Sequence, residues 1–178
     1  MLILYTSCED VEVEFDCGEV ETEITELSHR VGTYTAATFT NNNSTNFEEA
    51  AIIINIDDFI ITTETETSCF AFTPIPQLLE MISITSSGNV TTDGLDFASS
   101  EELSELFKLH NKEQTYSITE FITAQNDDPT LFHSGGDEII LQLLNQPDVA
   151  INQSFEIQFI FDDSEISNVA VSNFEVSN

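Results

Sequence analysis

Between residues 153 and 162 the chain reads QSFEIQFIFD. Phe155, Ile157, Phe159 and Phe161 take every second position, with Glu156 and Gln158 between them and Ile160 interrupting the polar set. Successive side chains of an extended chain point to opposite faces, so the four apolar residues share one face. Wound into a helix, the same residues would scatter around the axis. The stretch predicts a strand with one buried and one wetted face, as in an antiparallel sheet. It is expected to be a central strand, flanked by the segments 138–144 and 166–176 in a C-terminal meander, with Phe159 in the middle of the core.

The same rule reads much of the chain as strand. Val11, Val13 and Phe15 alternate with acids in residues 10–17, residues 20–27 repeat the pattern weakly, and residues 31–40, rich in Thr, Tyr and Phe, read as a third strand. Residues 50–63 form the most apolar run; their β-branched density favours strand over helix, and Asp57 and Asp58 predict a tight hairpin or a kinked strand there. Residues 68–72, 115–124, 138–144 and 166–176 read as strands, and 77–85 as a helical turn or a strand. Polar or glycine-bearing loops are expected at 41–46, 86–96 and 125–138. The one α-helix is placed at about 100–111. There Ser99 and Glu102 have capping-box spacing, Leu103, Leu106 and Phe107 form an apolar stripe, and Lys108 and His110 suit the C-terminal end. The pattern predicts an all-β fold: an antiparallel two-sheet sandwich or jelly roll of about nine or ten strands and one short helix. Residues 1–178 are expected to form a single domain.

Charge narrows the partners. The chain carries 33 acidic residues against Arg30, Lys108 and Lys112, for a net charge of −30. Such a surface repels nucleic-acid phosphates and anionic membranes. It also repels itself unless cations screen or bind it. Acidic, Lys-poor surfaces of this kind resemble those of proteins adapted to high salt; the other account is bound Ca2+. An apolar share of 40% with fourteen Phe argues for a packed core rather than disorder. No stretch approaches the roughly 18 apolar residues of a membrane span. The start, MLILYTSCED, lacks a basic region ahead of its short apolar run, so synthesis in the cytoplasm is expected. Cys8, Cys17 and Cys69 are odd in number and lack zinc-site spacing; buried or free thiols are expected.

Candidate chemistry is sparse. The histidines are His29, His110 and His133. His133 and Ser134, in HSGGD, are the only enzyme-like patch, with Gly135 and Gly136 offering backbone donors, but there is no G-x-S-x-G elbow and Gly-Gly before a strand is more often a turn. Three loops present oxygen ligands of the kind Ca2+ takes: Asp127 and Asp128 with Asp137 and Glu138; Asp162 and Asp163 with Glu165; and Asp93 with Asp96. None matches an EF-hand. Asn42, Asn43, Asn89 and Asn152 begin N-x-[ST] triplets, which matter only in a glycosylating compartment.

The expected function is a non-enzymatic structural or assembly protein. The leading form is a virion component (capsid, turret, tail or decoration protein) made in the host cytoplasm and adapted to high salt. Its partners are copies of itself and other structural proteins, with no nucleic acid and no membrane insertion. The first alternative is a Ca2+-stabilised cell-surface or extracellular adhesion module. The second is a small hydrolase using His133 and Ser134. The virion reading is fold-level analogy.

Overall fold

The computed structural model describes residues 19–41, 46–61, 73–76, 78–111, 114–127, 138–162 and 166–178. In chain order the elements are β1 (Glu19–Thr35), β2 (Thr38–Thr40), β3 (Ala50–Ile61), β4 (Thr73–Pro76), β5 (Leu79–Ser86), β6 (Val90–Thr92), β7 (Leu95–Phe97), a 3-10 turn (Ser104–Leu106), β8 (Phe107–Asn111), β9 (Gln114–Ser117), α1 (Ile118–Asp127), β10 (Ile139–Leu143), β11 (Ile151–Phe161) and β12 (Ile166–Val176). The fold is all-β, with antiparallel sheets packed as a sandwich and one short helix. Seven strands form the larger sheet, in the order β2-β1-β3-β10-β8-β9 with β4 added parallel to β1. The opposing sheet is β12-β11-β5, and β6-β7 is a separate hairpin.

The alternation in β11 is realised: Phe155, Ile157, Phe159 and Phe161 are all buried, and Glu156 is exposed. They meet Ile52, Ile54, Leu109 and Leu141 of the larger sheet and Ile84, Val171 and Phe174 of their own in one apolar core. Phe155 stands edge-on to both Phe107 and Phe174, with ring centroids 5.9 and 5.7 Å apart. Each such side chain contributes roughly 1.5–3 kcal/mol by leaving water. The neighbours of β11 differ from the expected meander. β12 is one partner, but the other is β5; β10 sits in the opposite sheet between β3 and β8. Both faces of β10 are buried, so it occupies the centre of the large sheet rather than flanking β11.

Residues 50–61 settle as one strand, not a hairpin, running antiparallel to β1. The pairing passes from Ile24↔Phe59 through Glu26↔Asp58 to Leu27↔Ile56, so Thr25 and Asp57 are the extra residues of an irregular kink. The expected single strand over 31–40 is instead broken by a two-residue turn at Ala36 and Ala37, both at positive φ (49° and 58°). No Gly or Asn marks that turn, which is why it was illegible.

The helix lies elsewhere than expected. Residues 100–111 form only the 3-10 turn and then β8, in which Phe107 and Leu109 alternate with Lys108 and His110. Glu102 is drawn to β5 instead of capping a helix. Residues 115–124, expected as a strand, are the end of β9 and most of α1. Ser117 and Glu120 make the capping box there: the Ser117 N–H and hydroxyl both donate to the Glu120 carboxylate, and the Glu120 N–H donates back to Ser117 Oγ. Ile118, Phe121 and Gln125 follow at helical spacing as its buried face. The expected loop at 86–96 contains the hairpin β6-β7, turned by Asp93 and Gly94, both at positive φ. Asp-Gly between β-prone residues is a strong hairpin signature, and it turns the chain here. Among the described residues no helix is long and apolar enough to cross a membrane.

Candidate functional site

The outer face of the large sheet carries a buried polar cluster. Strand register aligns Arg30, Ile53, Ile140, His110 and Thr115 in one row across five strands. His110 Nδ1 lies 2.8 Å from Thr115 Oγ1, and Nε2 lies 2.9 Å from Gln142 Oε1. The Gln142 amide nitrogen donates to the carbonyls of Tyr34 and Glu48, each at 3.3 Å. Gln142 Oε1 is therefore left to accept from His110 Nε2–H, and Nδ1 accepts from the Thr115 hydroxyl. The Tyr34 ring lies tilted beside the imidazole, 4.8 Å between centroids. Burial, joined by the positive charge of Lys108, pushes the His110 pKa below its ordinary value, against the opposing bond to Gln142. A neutral imidazole with both nitrogens engaged acts as a tie between strands.

Beside it a smaller apolar cluster of Ala51, Ile53 and Ile140 is covered by Tyr34 and Phe39. The Phe39 ring lies over Gly32: a Cβ there would stand 2.5 Å from the ring and 2.2 Å from the Thr40 carbonyl oxygen. Arg30 stacks over the other part of this cover, 5.4 Å from the Phe39 centroid, and pairs with Glu138.

A second polar set lines the margin of β5. Glu102 accepts from the Ile84 N–H at 3.0 Å, the Ser104 N–H at 2.9 Å and the Ser83 hydroxyl. Partial burial works to raise its pKa, but these bonds outweigh it and hold the carboxyl below its usual value. The Asn126 side chain, on α1, bonds both the N–H and the carbonyl of Leu79 at 3.0 Å.

The residues singled out from sequence are scattered. Asp127 ends α1 and is exposed; Glu138 is taken by Arg30; Asp162 lies exposed in the turn after β11. Asp128, Asp137, Asp163, Glu165, His133 and Ser134 lie outside the described residues, as do Cys8, Cys17, Cys69, Asn42 and Asn43. Asp93 accepts from Asn145, and Asp96 from the Thr91 hydroxyl. Among the described residues no three His, Cys, Asp or Glu side chains stand close enough to hold a metal ion. His29 is half-buried on β1 opposite Ile54. Asn89 accepts from the Ser99 N–H, and Asn152 donates to Glu175. Gln142, Thr115, Glu102 and Asn126 were missed as ties. For Gln142 and His110 a signal existed: each interrupts an apolar strand at the same alternate phase.

No protein-family model matches the chain, and no curated protein sequence matches it.

Proposed function

We propose that this protein is a non-enzymatic structural or assembly protein that forms a homo-oligomer. Its most specific form is a virion component working in high salt. The observation that carries the reading is the use made of the buried and half-buried polar groups. His110 with Gln142 joins β8, β9 and β10 to the β1–β3 side of the sheet, Glu102 fastens its loop to β5, and Asn126 fastens α1 to β5. These side chains hold a frame rigid, the quality an assembly subunit needs. Exposed apolar residues supply a contact: Leu95 (60% exposed) and Val149 (64%) sit at one end, where Asp148 binds Gly94 of the β6-β7 hairpin. The net charge of −30 opposes self-association in dilute buffer, so assembly belongs at high ionic strength.

Light scattering on a sizing column tests this at about 0.15 M and about 2 M NaCl, ionic strengths at which screening differs several-fold. The expected result is a closed oligomer at the higher salt that dissociates in Val149→Asp. A strict monomer at high concentration in both buffers removes the reading.

A further inference from the structure

A sheet margin pairs with another chain unless it is short, charged, bent or covered. Most margins of this protein are guarded in those ways. β2 has three residues and β9 four, and β4 carries Pro74 and Pro76. The stretch of β1 between its β4 and β2 pairings carries Glu23, Glu26 and Arg30. The outer side of β5 is fastened to Asn126, Glu102, Leu103 and Ser100. β12 is the exception: eleven residues at the end of its sheet, paired among the described residues with β11 alone.

Register fixes which backbone groups of β12 point outward. Ile84 gives its N–H to Glu102 and receives the Leu103 N–H, so both its groups turn away from β11. Ile157, opposite it, then turns toward β12 and exchanges bonds with Val169. The alternate residues Ile166, Asn168 and Ala170 therefore aim N–H and carbonyl outward, and all three are exposed. Among the described residues nothing bonds these groups. The ladder is regular from Ile166 to Val171; beyond it Ser172 and Asn173 face Ser154 in a bulge, with Asn173 at φ 57°. From Ile166 to Phe174 the chain reads ISNVAVSNF, without a charge, in a protein of 33 acidic residues. Two chains at −30 repel, but two such edges bring no carboxylates face to face.

We propose that β12 pairs antiparallel with β12 of a second copy, about a two-fold axis at Asn168. Asn168 then meets its mate, and Ile166, 52% exposed, lies against the small Ala170 of the other copy. Each of these pairs exchanges two backbone hydrogen bonds, and the two small sheets become one. The Glu156 side chains, one strand further in on each side, stay at least three strand spacings of about 4.8 Å apart. The pairing rests on the assembly reading and names one of its contacts, separate from the end that carries Leu95 and Val149.

The test is light scattering with amide hydrogen exchange on the full chain in about 2 M NaCl. Val149→Asp, which removes the other contact, should leave a dimer. Adding Asn168→Glu, which sets two carboxylates opposite each other at the axis, should leave a monomer. Ala170→Pro should do the same, since Pro is tolerated where a strand's N–H faces outward. In the Val149→Asp dimer the Asn168 and Ala170 amides should exchange at least tenfold more slowly in concentrated than in dilute protein. A Val149→Asp monomer beside an oligomeric wild type overturns the pairing and leaves the assembly reading standing. So does a dimer indifferent to both β12 variants. Protection of Asn168 and Ala170 that ignores concentration also overturns it, because the edge is then covered within one chain. A wild type that stays monomeric removes both.

Discussion

At the scale of single residues, His110 is the most consequential group in the described chain. Its imidazole is neutral because burial and Lys108 disfavour the charged form. The unfolded chain then binds a proton more readily than the folded one once pH falls below the ordinary histidine value of 6.5. Stability contributed by His110 is therefore full above that pH and declines as pH drops toward the lowered folded-state value. Replacing it by an apolar residue leaves the buried Gln142 Oε1 unanswered, at about 1–3 kcal/mol near pH 7.5. Urea denaturation of the wild type and His110→Leu at pH 7.5 and 5.5 should show the gap between them narrowing at the lower pH. An unchanged gap would mean that the folded and unfolded chains bind the His110 proton equally, so that the fold does not lower its pKa. Carboxylate protonation affects both proteins alike and cancels in the difference.

Among elements, the turn between β1 and β2 is built from residues ill-suited to it. Ala36 and Ala37 both hold left-handed backbone angles, which cost an L-residue roughly 1–2 kcal/mol each. Asn-Gly prefers this geometry. The double substitution Ala36→Asn with Ala37→Gly should raise stability by up to about 1 kcal/mol after the extra chain entropy of glycine is counted. A thermal midpoint that fails to rise would show that the turn is not held in this form. The same turn shows what sequence could reveal. Alternation made β11 and β12 plain, because burying one side of a sheet imposes a period of two, whereas β10, buried on both faces, showed only as a short apolar run. Helix position was harder. Ser99–Glu102 and Ser117–Glu120 offer the same capping spacing, and only tertiary context chose between them: β5 claims Glu102, while Phe121 and Gln125 bury one side of the true helix. Which strands pair, and hence the ties through Gln142 and Asn126, depended on contacts too distant in sequence for local pattern to report.

For the molecule as a whole, charge governs stability. Carboxylates on a −30 chain repel over a Debye length of about 10 Å at 0.1 M salt and about 3 Å at 1 M. Raising NaCl should lift the thermal midpoint steadily, by roughly 2–4 °C for each kcal/mol of repulsion removed in a domain of this size. Millimolar CaCl2 at matched ionic strength separates screening from specific binding; a sharp further rise would favour the Ca2+-stabilised adhesion module instead. The strand order carries a consequence for synthesis. β10 joins the two halves of the large sheet, and β11 is the middle of the other, yet both follow residue 138. A nascent chain that has not reached them holds β3 without β8, and β5 without any partner in its sheet. Such long-range pairings form late and slowly. Folding therefore waits until residues 139–161 have been made, and during that wait the acidic residues between the apolar strands keep the growing chain in solution.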